Sequence, residues 1–470
     1  MSATYLRVRH AIGIALLSLA TTASAAPARL TVEQGTLVAN GLTLTTPTPA
    51  GSYRVVEGPR SGSHGIEKVE APLAFGADLS STLAGRGSLA FWFKTPVTYE
   101  SGKAVTPFNE KLITLPGALA VTLLVEKSSV TLGAMWEGKR EELFERHIRA
   151  IIPRLPGPAW HHIAVTWDGA KGECNMFING TPFYVIGEKT APFTIQPAAR
   201  IVVHSDRFPV ADVRVEDEPL SPEQIRSIVG ASHYGTLAGI LGAKEIAPIS
   251  VDARRGPLLY ERTFASETDM RDWVLEGPGI LEFNGGALRM RSKLPDGPLG
   301  HTVYWCPEVF PDRFAAEWEF ELLEPKGLCI VFFAARGQQG KDLFDPTLAK
   351  RTGVFDHYIR GEIDTYHISY FANTPTVPRA MANLRKNHGF FLLSNGPVGA
   401  TSGRAGEKHR ALLIKDGAHI QMSVDGRTII DYIDDGQRAG PVWTEGRIGL
   451  RQMQWTDARY RNFRVYTLKK

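Results

Sequence analysis

One short grammar occurs twice in this chain: a strand, a tight turn, a second strand and another tight turn. In the first half it runs Trp160-His161-His162-Ile163-Ala164-Val165-Thr166-Trp167-Asp168-Gly169, then Asn175-Met176-Phe177-Ile178-Asn179-Gly180. In the second half, Arg410 to Gly417 is followed by Ala418 to Gly426, with Asp416-Gly417 and Asp425-Gly426 at the turns. Asp-Gly and Asn-Gly tolerate the positive φ that tight hairpins demand. Hairpins at this spacing, in a chain of 470 residues with 46 Gly and 30 Pro, lead to an all-β fold of two sandwiches in tandem.

The flanks divide the chain further. Arg7, Arg9 and His10, the apolar run Ala11 to Ala20 and the small residues Ala23-Ser24-Ala25 have the order of a secretory signal, and the run is too short to anchor in a bilayer. The expected division is a signal peptide over 1–25, a first sandwich over 26–235, a Gly/Pro-rich linker over 236–257 and a second sandwich over 258–470. Export to a periplasm or the extracellular space follows, with no membrane insertion after cleavage. The formal net charge of +4 comes with no Lys/Arg run, which argues against nucleic acid as a partner and is compatible with an acidic ligand. Three cysteines, Cys174, Cys306 and Cys329, rule out a fully paired framework, and their spacing fits no metal site. Cys306 and Cys329 either pair or stand as buried thiols.

The unit "WHHIAVTWDG…MFING", the strand "LAFWFKTP" (Leu89–Pro96) and "ADVRVEDEPLSPEQI" (Ala211–Ile225) resemble a laminin-G-like domain of the concanavalin A-like superfamily. The resemblance implies a jelly roll closed by a short helix, and Ser221-Pro222-Glu223 suits that helix start. His161 and His162 flank a Trp expected to be buried, so a structural role is favoured over metal binding. The second half carries "GEIDTYHISYFANT" (Gly361–Thr374), "NLRKNHGFFLLSNGP" (Asn383–Pro397) and "GRIGLRQMQWTDARYRNFRV" (Gly446–Val465). These resemble the YesU-like family, bacterial jelly-roll proteins that occur beside pectin-degrading enzymes. The two resemblances together imply two concanavalin A-like jelly-roll sandwiches in tandem, and the second implies a carbohydrate substrate and leaves the reaction open.

The chemistry concentrates between Arg360 and His388. If Arg360 to Tyr370 is a strand, alternation puts Glu362, Asp364, Tyr366 and Tyr370 on one face and His367 on the other. The candidate catalytic residues are Glu362, Asp364, Tyr366, Tyr370, Arg385 and His388. Candidate substrate-binding residues are Arg360, Lys386, Trp443, Arg451, Gln452 and Trp455, with the two Trp as sugar-stacking platforms. No metal ligands are assigned. No cofactor follows from these residues, and a structural Ca2+, though compatible with the fold, is not indicated. Glu362-Ile363-Asp364 is similar to the catalytic strand of laminarinase-type glycosidases, but Tyr366 stands where a third carboxylate belongs, which argues against retaining hydrolysis. Arg, His and Tyr together suit β-elimination from an acidic or pectin-type polysaccharide: a cation neutralises the uronate and a tuned Tyr or His moves protons. Hydrolysis through Glu362 and Asp364, and non-catalytic glycan binding, are the alternatives.

Overall fold

The computed structural model of the protein describes residues 28–33, 36–40, 53–68, 72–76, 85–136, 147–185, 200–204, 207–294, 297–373, 381–398 and 405–469. Residues 1–25, where a signal peptide is expected, lie outside them. In the first half, Ala159–Asp168 pairs with Arg86–Thr95 on one side and with Glu173–Ile178 on the other. Asn179 and Gly180 take φ of 47° and 72°, so the Asn-Gly turn is the positive-φ hairpin that the sequence implies. These strands belong to a nine-stranded sheet facing a six-stranded one. Phe91, Phe93, Val121, Leu123 and Val165 fill the space between the two sheets.

The outer face of the nine-stranded sheet is covered by the helix Pro222–Val229, whose Ile225 and Val229 pack on Trp92, Trp160 and Phe177. Ser221 and Gln224 close a reciprocal capping box at its start: the Gln224 N–H donates to Ser221 Oγ at 3.3 Å and the Ser221 N–H to Gln224 Oε1 at 2.7 Å. His161 and His162 are buried, with His161 Nε2 at 2.8 Å from the Pro156 carbonyl and His162 edge-on to Trp92. Their role is packing.

The second half is another pair of antiparallel sheets, of eight and seven strands. The seven-stranded sheet carries the chemistry. Its strands in chain order are β1 (Val274–Glu276), β2 (Thr302–Trp305), β3 (Gly327–Gly337), β4 (Ile363–Asn373), β5 (Met381–Asn387), β6 (Phe391–Val398) and β7 (Arg447–Gln452). Side by side they run β1-β2-β7-β3-β4-β5-β6. Cys306 and Cys329 are free and buried, which leaves the pairing unused, and burial pushes both thiols up to about 12.

The stretch 236–257 is anchored at its start and again at Val251, with 243–250 mostly exposed between them. Leu237 and Leu241 enter the first core, and Val251 joins Ala315, Ile414 and Leu468 of the second half. Across the seam, Arg438 meets Glu100 at 2.9 Å with both side chains nearly buried, and the Leu392 N–H donates to the Ser128 carbonyl at 2.9 Å. Among the described residues no helix is long and apolar enough to cross a membrane.

Candidate functional site

Strand β4 alternates as the sequence requires, but its faces are assigned the other way round. Tyr366, Ile368 and Tyr370 point into the core between the sheets, and Thr365, His367 and Ser369 point outward. Two phenol rings and an isoleucine offer far more apolar area than Thr, His and Ser, so burial selects that face. The Tyr366 hydroxyl donates to Asp434 and accepts from the Trp443 N–H at 3.0 Å. Tyr370 lies edge-on to Trp318 and Phe320. Burial raises the pKa of both phenols, and neither tyrosine is a surface proton carrier.

The other expected residues separate in the same way. Lys386 follows the core face of β5 and donates to Asp434 Oδ2 and to the Gly440 carbonyl, each at 2.7 Å. Gln452 also points inward, its Nε2 donating to the Tyr460 hydroxyl at 3.0 Å. Trp443 packs against this core and donates its indole N–H to the Asn387 carbonyl at 2.9 Å, so it is an anchored ring and not an open platform. Glu362 is exposed and accepts the Ala349 N–H at 2.6 Å, while Asp364 faces His388 at 3.4 Å. Arg360 pairs with Asp356 at 2.8 Å on the surface. Trp455 is half-buried in a separate cleft.

Arg385 and Arg451 remain on the outer face, and there the structure adds partners. Arg451 is fully buried, and its Nη2 meets His301 Nδ1 at 2.8 Å. Its Nε and Nη1 have no hydrogen-bond partner, and no carboxylate lies within ion-pair distance among the described residues. Three rings surround the guanidinium, Phe355 at 4.9 Å, Tyr358 at 5.1 Å and Phe332 at 5.7 Å. Burial pulls its pKa down to about 10. Across β3 lies His367, directly opposite Arg385 in the β4–β5 register. Arg385 stacks on Phe390 at 3.8 Å and donates to the Phe390 carbonyl at 2.8 Å. Phe390 in turn stacks on His367 and meets Phe355 edge-on, so two half-buried rings roof the cluster.

The wall is the segment 338–362, laid over the outer face by Leu343 and Tyr358 against Val303, Trp305, Phe332 and Ile363. One buried carboxylate staples it: Glu276 accepts from Trp305 Nε1 at 2.9 Å, Tyr358 Oη at 2.8 Å and Arg351 Nη2 at 2.7 Å. His301, Asn387, Phe355 and Phe390 were not singled out from sequence. The signal was present for one of them, since Asn383, Arg385 and Asn387 alternate along β5 on one polar face. Among the described residues no group of three or more His, Cys, Asp or Glu is placed to hold a metal ion.

Four buried histidines are held neutral. Burial pulls His161 to about 4 and His162 to about 3, and burial with Arg451 takes His301 to about 4. Burial, Arg385 and Arg451 hold His367 well below its usual range. In the unfolded chain these rings protonate near pH 6.5, so below that pH the unfolded state binds more protons and stability falls towards pH 4, at about 1.4 kcal/mol per unit for each ring. The melting temperature is therefore expected to drop from pH 6.5 downwards, before the carboxylates titrate. A flat profile between pH 7 and pH 5 would contradict this.

The model for the family described as "Domain of unknown function (DUF1961)" matches residues 257–465. "Uncharacterized protein YesU" of Bacillus subtilis (strain 168) is 42% identical over 216 residues, which is 45% of this chain and 97% of that protein. A solved Bacillus subtilis protein of unknown function with a galectin-like fold is 41% identical, covering 46% of this chain and 99% of its own, with a TM-score of 0.44. The carbohydrate-binding module CBM66 from Bacillus subtilis is 12% identical, covering 42% of this chain and 96% of its own, with a TM-score of 0.29.

Proposed function

The chain belongs to the YesU family through its second half, and from that premise we propose that this half holds an acidic polysaccharide on the outer face of the seven-stranded sheet. The observation that carries the proposal is Arg451, a buried cation with two unpartnered nitrogens and no counter-charge among the described residues. A uronate carboxylate supplies the missing charge and acceptors. Phe355 and Phe390 offer rings to the C–H faces of a pyranose. The division at 235 and 258, and export after removal of residues 1–25, belong to the same proposal.

A second reading, β-elimination, is favoured by one atom. Asn387 Nδ2 lies 2.9 Å from His367 Nδ1, and Asn387 Oδ1 is buried without a partner. Turning the amide puts Oδ1 on a protonated Nδ1 and leaves Nε2 as a base. His367 then takes the C5 proton as the C4–O bond breaks, and returns it to the leaving oxygen, the role first expected of Tyr366. Hydrolysis through Glu362 and Asp364 has less support, because these side chains engage Ala349 and His388.

Affinity electrophoresis against polygalacturonate and a neutral glucan tests binding. Retardation by the acidic polymer alone is expected, and equal retardation by both would sink the proposal. Absorbance of an unsaturated uronate decides for elimination if it appears with the wild type and vanishes in His367→Asn while retardation persists.

A further inference from the structure

A short way along the chain from Arg451 is a cleft of about 630 Å3 lined by Arg291, Lys293, Lys326, Gln454, Trp455 and Asp457, among others. Its charge is lopsided. Asp457 is engaged by Arg289 at 2.6 Å and 2.9 Å, whereas Lys293 and Lys326 are exposed and have no ion-pair partner among the described residues. Arg291 gives Nη2 to Glu282 at 2.7 Å, and its Nε is buried without a partner. The half-buried Trp455 indole N–H also lacks an acceptor. Gln454 connects this cleft to the first site, because its side chain lies beside His301, which meets Arg451. Strand β7 ends at Gln452, and the chain then turns, with the Thr456 N–H on the Met453 carbonyl at 3.0 Å, so Trp455 stands within about 13 Å of Arg451, the span of four fully extended residues.

Resting on the reading above, we infer that this cleft is a second subsite of the same groove, taking the neighbouring residue of an acidic oligosaccharide. The ring lies on Trp455, and its anionic group meets Lys293, Lys326 and Arg291. A chain of uronates thus meets two cationic stations, one buried and one open.

Calorimetry on the full chain with galacturonic acid and with trigalacturonate separates the two. The trimer is expected to bind at least tenfold more tightly than the monomer. Trp455→Ala, and separately Lys293→Ala with Lys326→Ala, should remove that excess and leave monomer affinity unchanged. The lysine pair is exposed, so that variant keeps the fold even if Trp455→Ala does not. Unchanged trimer affinity in the lysine variant overturns the second subsite while monomer binding sustains the first. A trimer that binds through Trp455 with no monomer binding supports the cleft and removes the Arg451 assignment. Binding of neither sugar overturns both.

Discussion

Lys386→Met is expected to destabilise the protein by about 3–5 kcal/mol, because it strands a buried carboxylate. Lys386 and Asp434 are each 1% exposed, and the ammonium also lies over the rings of Tyr366 at 5.5 Å and Trp443 at 5.1 Å. Burial lowers the Lys386 pKa while Asp434 opposes the change, so the pair is a compromise between desolvation and attraction. Removing the cation leaves Asp434 with two neutral donors, the Tyr366 hydroxyl and the Gly436 N–H at 3.1 Å, and no counter-charge from Lys386. The double variant Lys386→Met, Asp434→Asn should recover much of the loss, since no lone charge remains. Urea unfolding measures both, and a single-variant loss below about 1 kcal/mol would show that Asp434 does not depend on the Lys386 charge.

Arg451→Met is expected to act in the opposite sense on stability and to weaken binding sharply. The wild-type guanidinium is desolvated without a carboxylate, so an apolar side chain of similar length should be neutral or stabilising by up to about 2 kcal/mol. Affinity for an acidic glycan should fall by roughly 100-fold, about 2.7 kcal/mol. A structural arginine predicts the reverse pair of results, with stability lost and binding kept. Melting temperature and affinity measured on the same preparation separate the two.

The all-β fold was legible because hairpin turns are local: Asn179-Gly180 and Asp425-Gly426 need no distant partner to declare themselves. The alternation of β4 was legible for the same reason. Which face turns inward was not, because that depends on the opposing sheet, and Glu362 and Asp364 drew attention to the wrong side. Glu362 precedes the strand and Asp364 is its second residue, where the pairing with β3 is irregular between Phe333 and Arg336. Arg451 was identified, but its isolation could not be, since it is defined by what 338–362 and β2 bring to it. His301 lies 150 residues from Arg451 in sequence, and only the folded sheet makes them neighbours.

The seam between the halves has a consequence for solubility. Strand β6 ends its sheet, and an end strand with open N–H and C=O groups invites pairing with another chain. Here the first half occupies that end: the Leu392 N–H is held by the Ser128 carbonyl, and Asn395 Nδ2 reaches the carbonyls of Ile151 at 3.0 Å and Ile240 at 3.3 Å. The first sandwich thereby acts as a permanent stopper, and residues 257–470 expressed alone would present a sticky edge that the intact chain keeps out of reach.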